Sequence, residues 1–190
     1  METYLLSAVL VALAEMGDRT QLLAIVLASR FRKPVPVLLG VFVATVANHS
    51  LAALVGYYLS ALIAASWFRI AVALCFIAMA VWALIPDKAD EEAAGQSGHW
   101  GAFATTVVAF FIVEMGDKTQ IATAMLAAKY HNVLTVAAGT TTGMLIANVP
   151  AVYLGHTVTR VLPIRALSLA AAGVYLAVGL WTLYAAVRGV

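Results

Sequence analysis

The chain has 190 residues, of which 64% are hydrophobic and 11% charged, with a mean hydropathy of +0.97 and a formal net charge of +2. Soluble domains of this size are about half apolar and about a quarter charged, so a water-soluble globule is excluded. What remains is an all-α integral membrane protein, with no basic surplus to attract nucleic acid and no room for a separate soluble domain.

Apolar runs bounded by charge or proline predict six spans, over about 3–29, 35–60, 67–85, 102–128, 133–158 and 166–187. The first run ends in Ala12-Leu13-Ala14, like a signal-peptidase site, but no Lys or Arg precedes it and the apolar pattern resumes to about Ala28. It reads as an uncleaved membrane helix. Arg30-Phe31-Arg32-Lys33-Pro34 closes it, and Ser66 to Arg69 mark the junction before the third span. The single Cys75 lies in that apolar span, where it packs rather than reacts, and no disulfide framework exists. Asp87, Lys88, Asp90, Glu91 and Glu92 make 86–100 the one soluble-looking linker. It separates a first unit, 1–85, from a second, 101–190.

The units are copies. Glu15-Met16-Gly17-Asp18-Arg19-Thr20-Gln21 recurs as Glu114-Met115-Gly116-Asp117-Lys118-Thr119-Gln120, a spacing of 99 from residue 15 to residue 114. The same spacing carries Gly40 onto Gly139, Gly56 onto Gly155 and Trp82 onto Trp181, and sets His49 opposite Asn148. Three spans per unit is an odd number, so the second unit enters the membrane from the opposite side. The predicted architecture is two inverted three-helix repeats. With both termini outside, Arg30, Arg32, Lys33, Lys88, Arg160 and Arg165 fall on the cytoplasmic side, against Arg69, Lys129 and Arg188 outside. That bias favours both termini outside.

Four acids, Glu15, Asp18, Glu114 and Asp117, fall inside spans one and four. A central charge costs roughly 2.5–3.5 kcal/mol on insertion scales, so such residues mark a function. Spacing i, i+3 sets each pair on one helix face, and two antiparallel helices can bring all four together at the midplane. Gly17 and Gly116 permit either close backbone approach or a local break. Arg19 and Lys118, four residues after Glu15 and Glu114, are placed to tether or tune a carboxylate. The six groups together leave two negative charges, which one divalent cation or two protons would balance. Alternating occupancy of that kind is a cation/proton antiporter. Thr20, Gln21, Thr119 and Gln120 add neutral oxygen, and Asn48, His49 and Asn148, with Pro150 as a kink, come from spans two and five as shell or proton-carrying candidates. An oxygen-rich set without thiolate suits Ca²⁺, Mg²⁺ or Mn²⁺, and His49 with Met16 and Met115 tilts it toward Mn²⁺. Gly139-x-x-x-Gly143 reads as a helix-packing face.

Two copies of Glu-x-Gly-Asp-(Lys/Arg)-(Thr/Ser) in a six-span chain resemble uncharacterised protein family 0016, the Gdt1 family, over nearly the whole sequence. The resemblance implies proton-coupled transport of Mn²⁺, with Ca²⁺ as a second substrate and no prosthetic group. It also implies an ion site made by Glu15, Asp18, Glu114 and Asp117, with Thr20 and Thr119 as oxygen donors. A bacterial cytoplasmic-membrane exporter is the expected form. Two rival readings stay open, a small-solute exporter of the amino-acid type and a passive divalent-cation channel. An intramembrane hydrolase is disfavoured, because no paired histidines and no Ser or Cys nucleophile accompany the acids. Oligomeric state is left open.

Overall fold

The computed structural model describes residues 1–62, 66–85, 101–155 and 163–188. The elements they form are helices: α1 (Glu2–Glu15), α2 (Arg19–Phe31), α3 (Pro34–Leu62), α4 (Ser66–Trp82), α5 (Ala102–Glu114), α6 (Lys118–Tyr130), α7 (Val133–Leu154) and α8 (Ile164–Arg188). The linker expected over 86–100, with its acidic residues and Lys88, and Arg160 lie outside the described residues.

The stretches expected as single spans over 3–29 and 102–128 each form two helices. The cause is local: Gly17 has φ 88° and Gly116 has φ 81°, left-handed values that a side chain with a Cβ disfavours. At Gly116 nothing would crowd a Cβ. Glycine is required there for its backbone angle, not for close packing. The chain restarts at once, with Asp18 and Asp117 as N-caps of α2 and α6. Both second halves also end alike, on left-handed Arg32 and His131. Pro150, expected as a kink, lies inside α7 without ending it.

α7 packs along α1 and α2, α3 packs along α5 and α6, and α3 and α7 pack on each other. α4 and α8 form an outer pair resting on α1 and α6. Small residues set these approaches. A Cβ on Gly139 of α7 would lie 2.6 Å from the Tyr4 carbonyl oxygen and 2.9 Å from Ser7 Cβ on α1. A Cβ on Gly40 of α3 would lie 2.9 Å from the Phe103 carbonyl oxygen and 2.6 Å from Thr106 Cβ on α5. Tyr4 and Phe103, like Ser7 and Thr106, stand at the same spacing as the two glycines, so one helix contact is made twice. Gly143 meets the Ala8 carbonyl oxygen, and Gly56 that of Ala124, too closely for any side chain.

The segments 34–61, 133–154 and 165–188 are long and apolar enough to cross a membrane. Leu39, Val55, Ile112 and Leu180 point outward and are exposed. In water such a surface is an aggregation hazard, whereas lipid tails solvate it. The acids lie inside instead.

Candidate functional site

The two helix breaks carry the motif acids into the interior. Glu15 and Glu114 are fully buried, and Asp18 and Asp117 are 5% and 3% exposed. Each glutamate ends one helix and each aspartate begins the next. The Asp18 and Asp117 amides donate to the Glu15 and Glu114 carbonyls, both at 3.1 Å, and so close the turn that holds each pair together. One carboxylate oxygen from each of Glu15, Glu114 and Asp117 lies within 4.8 Å of the other two. Asp18 stands beside this group, near enough for its charge to act on Glu114.

Spacing alone set the basic residues beside the glutamates of their own motifs. An i, i+4 tether needs a continuous helix, and the breaks remove it. The ion pairs cross between the two motifs instead: Lys118 Nζ is 3.3 Å from Asp18 Oδ1, and Arg19 Nη2 is 3.2 Å from Asp117 Oδ1. Arg19 also donates to the Val113 carbonyl at 3.0 Å. The glutamates follow the same pattern, with the charge of Lys118 acting on Glu15 and that of Arg19 on Glu114. Each motif thus supplies the counter-charge for the other.

The neutral oxygens divide into two sets. Thr20 Oγ1 donates to Glu15 Oε2 at 2.7 Å, while the Thr119 amide and hydroxyl donate to Asp117 Oδ2 at 3.3 and 3.4 Å. Gln21 and Gln120, expected as oxygen donors on the face of the acids, use their side-chain oxygens otherwise. They accept from the Gly17 and Gly116 amides at 2.9 and 2.6 Å. Those amides sit where the helical ladder is interrupted, so the glutamines brace the breaks. Gln21 Nε2 further donates to the Ala147 carbonyl of α7 at 2.9 Å.

Asn48, His49 and Asn148 are fully buried on α3 and α7. Asn48 Nδ2 donates to the Phe111 carbonyl of α5 at 3.1 Å, and Asn148 Nδ2 to the Met144 carbonyl of its own helix at 3.0 Å. His49 is not among the three residues whose ligand atoms converge. Among the described residues, the Oδ1 atoms of both asparagines, both ring nitrogens of His49, Glu15 Oε1 and both Glu114 oxygens lack a protein partner. Buried polar atoms are nearly always paired, and an orphan costs about 1–3 kcal/mol. Orphaned carboxylate oxygens within a cluster of three acids, with no thiolate among them, belong to the donor type a hard divalent cation takes.

Tyr175 of α8 is the residue that spacing and motif reasoning missed. It is fully buried, its hydroxyl has no partner among the described residues, and the charges of Glu15, Asp117 and Asp18 act on it. An aromatic residue in an apolar run carries no signal of this kind. A cavity of about 480 Å³ also reaches the site, lined by Gly17, Asp18, Leu84, Ile85, Lys118 and Arg165 among others. It connects the Asp18–Lys118 pair to the end where α4 stops and α8 starts.

The family described as "Divalent cation/proton antiporter GDT1" matches over residues 3–91 and over 102–189. The chain belongs to the GDT1 family. A protein of Vibrio cholerae serotype O1 named "Putative manganese exporter" is 43% identical to it, covering 97% of this chain and 92% of that protein. A GDT1-like protein of Synechocystis is 32% identical, over 78% of this chain and 81% of the relative. No solved structure matches. GDT1 proteins are divalent-cation transporters rather than enzymes, and the apolar helices of this GDT1 chain make it a multi-pass membrane protein.

Proposed function

We propose that this GDT1 protein exports Mn²⁺ from the cytoplasm in exchange for protons, at one site built by Glu15, Asp18, Glu114 and Asp117. The observation that carries the reading is the convergence of Glu15, Glu114 and Asp117 within 4.8 Å in a buried place. The crossed ion pairs give the charge balance a physical form. Lys118 offsets Asp18 and Arg19 offsets Asp117, which leaves Glu15 and Glu114 with two negative charges. One divalent ion balances them, or two protons do, but in a low-dielectric interior not both at once and not neither. Thr20 and Thr119 orient the carboxylates they touch, and the free Oδ1 atoms of Asn48 and Asn148 add neutral oxygen. His49 serves as a proton or outer-shell group.

In this reading the chain crosses the membrane six times as two inverted three-helix repeats, 1–85 and 101–190, joined by the linker 86–100. The 14 residues of α1 and the 13 of α5 extend about 20 Å, less than the ~30 Å hydrocarbon layer. Each therefore needs its partner, α2 or α6, to complete a span, and the breaks fall within the membrane. The doubled contact of Gly40 with α5 and Gly139 with α1 supports the repeat. With both termini outside a bacterial cytoplasmic membrane, the cavity beside Arg165 opens to the cytoplasm, the loading side for an exporter. The name of the Vibrio cholerae relative favours Mn²⁺, with Ca²⁺ second.

The test is transport by purified protein in liposomes. An imposed proton gradient should drive Mn²⁺ against its own gradient, and a Mn²⁺ gradient should move protons the other way. Mn²⁺ movement that only ever runs downhill, unaffected by pH difference, would mean a passive channel.

A further inference from the structure

The α4–α8 pair holds one group that helix packing does not explain. Tyr175 lies in the apolar cluster with Leu10 and Val11 of α1, Phe76 of α4 and Leu126 of α6. Its ring is accounted for by that packing. Its hydroxyl is not: it is fully buried, in an apolar cluster, without a partner among the described residues. At the equivalent position of the first unit, 99 residues earlier, stands Phe76, also fully buried. A phenylalanine therefore meets the same packing need, and the oxygen on Tyr175 must have another use. The groups whose charges reach it are Glu15, Asp117 and Asp18, and α8 rests on α1, the helix that ends in Glu15.

We infer that Tyr175 is a positioning residue for the ion site, donating its O–H to a motif carboxylate when that carboxylate is drawn onto the metal. A metal-bound carboxylate uses one oxygen on the ion and offers the other to a hydrogen-bond donor. Such outer contacts fix ligand orientation and commonly change metal affinity 10–100-fold. Their loss lies at the lower end where one neutral donor is removed. Tyr175 links the loaded state of the site to α8, and through α8 to α4, the pair flanking the cavity. Neither the ring nor the hydroxyl is asked to bind the metal.

The inference rests on the carboxylate site proposed above, and one experiment separates the two. Purified wild type and Tyr175→Phe are melted with and without MnCl₂, and Mn²⁺ transport by each is measured in liposomes. Without the ion, Tyr175→Phe should melt at the wild-type temperature or above it, because the hydroxyl it loses bonds to none of the described residues. With the ion, its Mn²⁺-dependent rise in melting temperature should be smaller. The KM for Mn²⁺ should increase about tenfold with the maximal rate largely kept. An unchanged Mn²⁺ shift and KM would overturn the role of Tyr175 alone, while a wild type that Mn²⁺ does not stabilise would overturn the site itself. A variant that melts lower or fails to fold without the ion would show the hydroxyl to be structural, which also overturns the inference.

Discussion

Glu114→Gln is expected to stop Mn²⁺ transport, by at least about 100-fold, while leaving the protein as stable as before or more so. Both Glu114 oxygens are buried without a hydrogen-bond partner among the described residues, so an uncharged amide removes a buried charge that Arg19 only partly offsets. It also removes one of the two charges that make the site divalent. Asp18→Asn and Asp117→Asn should stop transport too, but at a different cost. Lys118 is buried and would lose its Asp18 partner, a loss of about 3 kcal/mol for a broken buried pair. Arg19, whose side chain is 27% exposed, should suffer less when Asp117 is neutralised. Liposome flux and melting temperature measured on the three variants would separate these effects. Transport by Glu114→Gln near the wild-type rate would remove the glutamate from the site.

Gly143→Leu should leave no folded protein. At this position even a Cβ would run into the Ala8 carbonyl and stand 2.9 Å from the Ala12 amide nitrogen. Backbone of a packed helix cannot move aside as a flexible side chain can. Overpacking of this kind costs about 3 kcal/mol or more, and here it separates α7 from α1, the helix that delivers Glu15. Gly173→Leu is the matched control, since nothing lies within 4 Å of its Cβ position. Gel filtration in detergent should show a sharp peak for Gly173→Leu and aggregate for Gly143→Leu. Equal behaviour of the two would contradict the helix contact described.

The duplicated motif was open to sequence reading because both copies keep the same residue types at the same spacing, and so was the packing role of Gly139 and Gly143. The acids could be picked out because a carboxylate in an apolar span is costly to insert and therefore rare. Where the reading of 3–29 and 102–128 differed from the structure, helix continuity was the reason. Gly17 and Gly116 were compatible with close packing or with a break, and only a positive φ decides between them. Once the helix is broken, i, i+4 neighbours no longer face each other, so Arg19 and Lys118 pair across the repeats and Gln21 and Gln120 serve the Gly17 and Gly116 amides. Contacts between distant segments leave no periodic trace. Tyr175 was invisible for the same reason, since its ring fits the apolar pattern and its hydroxyl gains meaning only from the acids on other helices.

The most direct measurement is the number of protons released when Mn²⁺ binds to the purified protein. Calorimetric titration in two buffers of different ionisation heat gives that number without any need for a membrane. If Glu15 and Glu114 exchange one metal ion for protons, up to about two protons should leave per ion at mildly acidic pH, as charge balance requires, and Glu114→Gln should reduce both release and affinity. Tight Mn²⁺ binding with no proton release, or binding that survives loss of both glutamates, would contradict the account.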